Sequence, residues 1–209
     1  MRCILREERQ QEGNNHESKR KTRRLTGLAL MTAIIVVLQV VASFVKFGPF
    51  SITLALAPII IGAALYGAGA GAWLGAVFGV VVLIACVAGW DMGGNILFTA
   101  NPLLTAALCI VKGAAAGWVS GLVFRGLSSR SPMGASITAG IVCPVVNTGI
   151  FILGLTLCFY DILVAWAGGS DLIYYIIFVL TGVNFVLELA INLVLSTVIV
   201  RVVGARKRA

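Results

Sequence analysis

Charge and histidine are the two things this sequence has least of. Charged residues make up 11% of the 209, and His16 is the only histidine. With no histidine in any apolar segment, neither an H-E-x-x-H metal helix nor a Ser/His nucleophile pair can be assembled, and no G-x-S-x-G elbow occurs. No G-x-x-x-x-G-K-[ST] is present, and the glycine-rich GAGAGAWLG lacks the lysine and lies inside an apolar run, so the chain does not hydrolyse ATP through a P-loop. The five cysteines, Cys3, Cys86, Cys109, Cys143 and Cys158, form no C-x-x-C pair, and four fall in or at the ends of apolar runs, where cysteine is a small packing residue. No catalytic residue, metal site or cofactor is expected, and the chain does not read as an enzyme.

What fills the sequence instead is apolar. Hydrophobic residues reach 59% and mean hydropathy is +1.01, far from the balance of a soluble domain. About 20 apolar residues span the hydrocarbon core of a bilayer, and such runs lie near 26–45, 51–66, 68–88, 101–124, 133–158 and 172–202. The predicted fold class is an all-α membrane protein, a bundle of six transmembrane helices. The second run is short and carries Pro58, which predicts a helix kinked or displaced to one side of the bilayer.

Basic residues divide the chain unevenly. Arg2, Arg6, Arg9, Lys19, Arg20, Lys21, Arg23 and Arg24 precede the first span, Arg125 and Arg130 lie between the fourth and fifth, and Arg201, Arg206, Lys207 and Arg208 follow the last. The positive-inside rule puts all three segments in the cytoplasm, so both termini are expected to be cytoplasmic. Asp91, Asp161 and Asp171 then fall on the outer side. The net charge of +8 is a topology signal and an attraction for anionic headgroups of the lipid bilayer, not a sign of nucleic-acid binding. The division expected is a flexible basic cytoplasmic tail over 1–24 with no signal-peptide pattern, a transmembrane domain over 25–203, and a basic tail over 204–209.

Glycine recurs at every fourth position in two spans, as Gly67, Gly71, Gly75 and Gly79, then Gly113, Gly117 and Gly121. Residues spaced i, i+4, i+8 share one helix face, so each stripe offers a smooth groove for a second backbone. Packing within the bundle is favoured over a groove for a separate protein.

Ionisable groups inside a span cost on the order of 3 kcal/mol on insertion scales, so they face a partner or a water-filled cavity. Two occur here, Lys112 and Glu188. Counted from the outer ends, Lys112, Asn147 and Asn184 lie at a common depth of about 16 Å, with Glu188 one turn deeper. Asn184, Glu188 and Asn192 share one face of the last helix. Two arrangements stay open: a buried Lys112–Glu188 ion pair with the asparagines as interhelical glue, or a polar pocket open to the outside that binds a small solute. Trp90, Asn95 and Asn101 belong to the outer connection above this level and are further candidates for the binding site.

The run RLTGLALMTAIIVVLQ, the pair of segments in ITLALAPIIIGAALYGAGAGAWLGAVFG, the span NPLLTAALCIVKGAAAGWVSGLVFR, the Asn-Thr of CPVVNTGIF and the closing GVNFVLELAINLVLSTVIV keep their order and spacing over about residues 23–203. Together they resemble the substrate-binding S component of energy-coupling factor (ECF) vitamin transporters. The resemblance implies a subunit of an ATP-driven importer, multi-pass in the bacterial cytoplasmic membrane. It would capture a vitamin or related micronutrient from outside, dock on a transmembrane scaffold subunit carrying two ATPase subunits, and release its ligand inside. It also implies an A-x-x-x-A docking face on the first helix, matched by Ala29 and Ala33, and a pocket formed by outer loops and the outer halves of the last three helices. The position of Lys112 is often arginine in relatives, and a lysine presents a point charge where arginine offers a planar fork. Pantothenate, with a carboxylate for Lys112, is one candidate ligand; riboflavin, folate and other vitamins stay open. The competing expectations are a stand-alone proton-coupled transporter using Glu188 and a membrane scaffold without a ligand.

Overall fold

A computed structural model describes residues 2–44, 46–47, 50–51, 53–182, 185–194 and 201. The described residues are almost wholly helical: α1 Arg2–Ser43, α2 Leu56–Tyr66, α3 Ala68–Val87, α4 Met92–Ala100, α5 Pro102–Leu127, α6 Pro132–Cys158, α7 Tyr160–Ala167 and the single turn α8 Leu172–Tyr174. A π-helix, Tyr175–Gly182, continues α8, and the chain is α-helical again over 185–194. Between α1 and α2 the chain forms a small antiparallel ladder, β1 Lys46–Phe47 with β2 Phe50–Ser51.

Five of these helices are long and apolar enough to cross a membrane: Lys21–Ser43, Ala68–Val87, Pro102–Leu127, Pro132–Cys158 and Leu172–Val194. The run expected at 51–66 is different. Only the 11 residues of α2 are helical, about 16 Å of helix and half a bilayer core. Pro58 is the reason, since a proline in the first helical turn has no hydrogen-bonding partner to lose, and it marks where a helix begins rather than where it bends. The residues before it, Thr53 and Leu54, are not helical. At the other end Gly67, with φ of 94°, breaks α2 from α3.

The remaining ends follow the same local logic. Asn101 Oδ1 accepts from the Leu104 N–H at 3.1 Å with Pro102 in the first turn of α5, and Ser131 Oγ accepts from the Gly134 N–H at 3.2 Å ahead of Pro132 in α6. α1 runs on through the basic segment ahead of its span, where composition alone suggests an irregular tail. The last basic stretch, 202–209, lies outside the described residues.

The centre of the bundle is the packing of α3 on α5, with α6 on the far side of α5. Both glycine stripes meet here. A side chain on Gly71 would strike the Gly117 backbone, one on Gly75 the Gly113 backbone, and one on Gly79 the backbone of Cys109 and Ile110. The stripes are consumed within the bundle. Ile35, Leu56, Ile59, Ile60, Leu74, Phe78 and Ala116 form the buried core around them. α1 turns Ile35, Gln39 and Ala42 inward, while Leu30, Val37, Val41 and Phe44 remain exposed.

Candidate functional site

Lys112 on α5, Asn147 on α6 and Glu188 on the last span line one cavity of about 70 Å³, room for several waters. Its remaining walls are Gln39 of α1, Thr53, Val82 of α3, Asp91 at the start of α4, Thr148 and Phe151 of α6, and Leu180, Thr181 and Phe185 of the last span. Seven stretches of chain therefore converge on it.

The polar groups are deep. Gln39 is 3% exposed, Asn147 4% and Glu188 4%. Among the described residues, Gln39 Oε1, Asn147 Oδ1, Thr181 Oγ1 and Glu188 Oε2 are buried with no protein hydrogen-bond partner. One orphaned buried polar atom costs about 1–3 kcal/mol, and four of the seven such atoms among the described residues border this one cavity, where a solute or water can serve them. Lys112 Nζ lies 4.5 Å from the Phe151 ring centroid, a cation–π geometry. Thr53 presents its side chain and backbone to the Glu188 carboxyl group, and Lys112 is near enough to act on it electrostatically. Asp91 Oδ1 accepts from the Gly94 N–H at 3.0 Å, capping α4.

The backbone carries the same message. Thr53 and Leu54, just ahead of the short α2, are not helical, and Thr53 is part of the cavity wall. Irregular backbone within a bilayer is sustained only where it is buried in protein or borders a polar cavity. The last span is similarly irregular: much of its first half is a π-helix, a winding found mostly at functional sites, and it supplies Leu180 and Thr181 to the cavity.

The other residues singled out from the sequence go elsewhere. Asn95 Nδ2 donates to the Cys86 carbonyl at 2.8 Å, and Asn101 caps α5. Trp90 packs on Phe44 with ring centroids 5.6 Å apart. None of the three is among the lining residues. Asn184 lies outside the described residues. Asn192 turns back on its own helix, its Nδ2 donating to the Glu188 carbonyl at 2.9 Å. Ala29 and Ala33 are exposed on α1, remote from the cavity lining. A second hollow, of about 790 Å³, lies along the last span between Ile152, Ile177, Phe178 and Val186. It is lined almost entirely by apolar side chains, with Thr181 the polar exception among the described residues.

The family model for the ECF transporter, substrate-specific component, matches residues 23–200. The chain belongs to this family. None of the curated proteins matches the chain. As an ECF substrate-specific component it is a multi-pass membrane subunit of a transporter, not itself an enzyme. Membership implies a small-molecule substrate and docking with an ECF scaffold and ATPase module. It does not favour a stand-alone proton-coupled carrier built on Glu188, and the glycine stripes are used between α3 and α5 rather than left for foreign helices.

Gln39, Thr53, Thr148, Phe151, Thr181 and Phe185 join the substrate-specific component's candidate site without having been singled out from the sequence. Gln39 carried a signal, as the one polar residue in IIVVLQVVA. Thr53 carried none, because ITLALAPIII reads by hydropathy as uninterrupted helix.

Proposed function

We propose that this substrate-specific component captures a water-soluble vitamin or related micronutrient from outside the cell in the cavity between Lys112, Asn147 and Glu188. The observation that carries it is the gathering of buried, unpartnered oxygens from α1, α6 and the last span around one space. In this reading α2 completes a six-helix bundle with both termini in the cytoplasm of a bacterium, and the irregular segment at Thr53 forms the cavity floor. Asn184 adds to the pocket from the last span, while Asn95, Asn101 and Trp90 shape its outer rim by holding α4 and the start of α5. The loaded protein then docks through Ala29 and Ala33 on a transmembrane scaffold with two ATPase subunits, which drive release inside. Two small residues one helical turn apart allow a foreign helix to approach closely, which supports this role for the exposed pair.

The test is mass spectrometry of small molecules released from the detergent-purified protein and from a Lys112→Ala variant. A stoichiometric micronutrient in the first, lost from the second, is the expected outcome. Equal retention by both would remove Lys112 from the pocket.

A further inference from the structure

We infer that the cavity selects a small ring compound bearing an amine or other N–H donors, and discriminates against organic acids. The inference rests on the cavity being the solute site and concerns what that site recognises. Its lining holds two carboxyl groups, Asp91 and Glu188, against one ammonium, Lys112. The ammonium is held against the face of Phe151. Asp91 already accepts the Gly94 N–H. Glu188 keeps an oxygen with no protein partner, and the three other orphaned atoms on the wall, from Gln39, Asn147 and Thr181, are also oxygens.

Turning the Gln39 and Asn147 carboxamides would present nitrogen in place of oxygen, and the Thr181 hydroxyl can donate as well as accept. Glu188 has no such freedom when ionised: both its oxygens then only accept, and the one without a protein partner needs a donor. A carboxylate entering this space would gain Lys112 but be held close to two other carboxyl groups in a medium of low dielectric. A ring whose amino or amide N–H donors carry no charge meets Glu188 without that conflict and without repulsion from Lys112. Val82, Phe151, Leu180 and Phe185 supply apolar surface for the ring.

The experiment uses the full chain in nanodiscs, incubated with an equimolar mixture of amine- or amide-bearing probes (pyridoxamine, nicotinamide) and acid probes (pantothenate, 4-pyridoxate, nicotinate). Whatever is retained after washing is quantified by mass spectrometry. Retention from the amine-bearing set is expected, falling about tenfold or more in Glu188→Gln. Folding of that variant is checked by monodisperse elution; if it fails to fold, Thr181→Val replaces it, with a several-fold loss expected. Preferential retention of an acid, or retention of an amine undiminished in the folded variant, overturns the inference and leaves the cavity standing as a solute site. Retention of nothing from either set, together with no small molecule released from the freshly purified protein, overturns the solute-site reading itself and this inference with it.

Discussion

Lys112 Nζ stands 4.5 Å from the centroid of the Phe151 ring, so the one cation that lines the cavity among the described residues is held against the face of an aromatic ring on the neighbouring helix. That contact couples α5 to α6 at the depth where a charge is most expensive, and it orients the ammonium without consuming its N–H donors. Replacing Phe151 by Leu keeps the apolar volume and removes the ring face. Solute affinity should fall by about 2- to 30-fold, the worth of roughly 0.5–2 kcal/mol. Equilibrium binding in nanodiscs checks this, and an unchanged affinity would show that the ring does not position the lysine.

The glycine contacts make a sharper prediction for stability. Gly75 and Gly113 face each other backbone to backbone, so Gly75→Val puts its branched side chain against a main chain that cannot move aside. Overpacking of this kind costs about 1–3 kcal/mol even where neighbours can adjust, so a loss at or above that range is expected. Gly69→Ala and Gly149→Ala are the controls, since nothing lies within 4 Å of a side-chain carbon at either site. Thermal unfolding in detergent should show a clear drop for the first and little change for the controls. Equal behaviour of all three would mean that α3 and α5 are not this close.

How much of this was legible beforehand depends on which physical signal each residue leaves in a linear sequence. Lys112 and Glu188 stand out because a charge in an oily run demands a reason, and the glycine stripes stand out because their spacing is the helical repeat. Thr53 could not stand out. Hydropathy measures affinity for lipid and says nothing of whether backbone hydrogen bonds are closed, so an apolar extended segment and an apolar helix look alike. The π-helix over Tyr175–Gly182 was hidden for a related reason, because its wider winding is set by packing and not by composition. Asn95 and Asn101 show the opposite difficulty: asparagines that hold backbone groups look the same, in sequence, as asparagines that await a ligand.

The cap at Asn101 can be separated from any other role by choice of substitution. Serine offers a side-chain oxygen to the Leu104 N–H, and alanine does not. Asn101→Ala should lower stability by about 1 kcal/mol while Asn101→Ser stays near the parent. The pair is compared by thermal unfolding. Equal destabilisation by both would mean that the side chain is valued for something other than the cap.

The outer face of α1 supports the last prediction. Ala29 and Ala33 are exposed one helical turn apart, beside Leu30 and Val37, on the side of the helix that turns away from Ile35 and Gln39. A tryptophan at either position therefore has open space around it and should not disturb the fold or the cavity, which Gln39 lines from the opposite side. If this face meets the scaffold, Ala29→Trp or Ala33→Trp abolishes uptake in vesicles containing the scaffold and ATPase subunits, while solute binding by the isolated protein is unchanged. Joint loss of uptake and binding would mean that the alanines pack the bundle. Retention of both would move the docking surface to another helix, since a bulky ring between two closely packed backbones is not compatible with their approach.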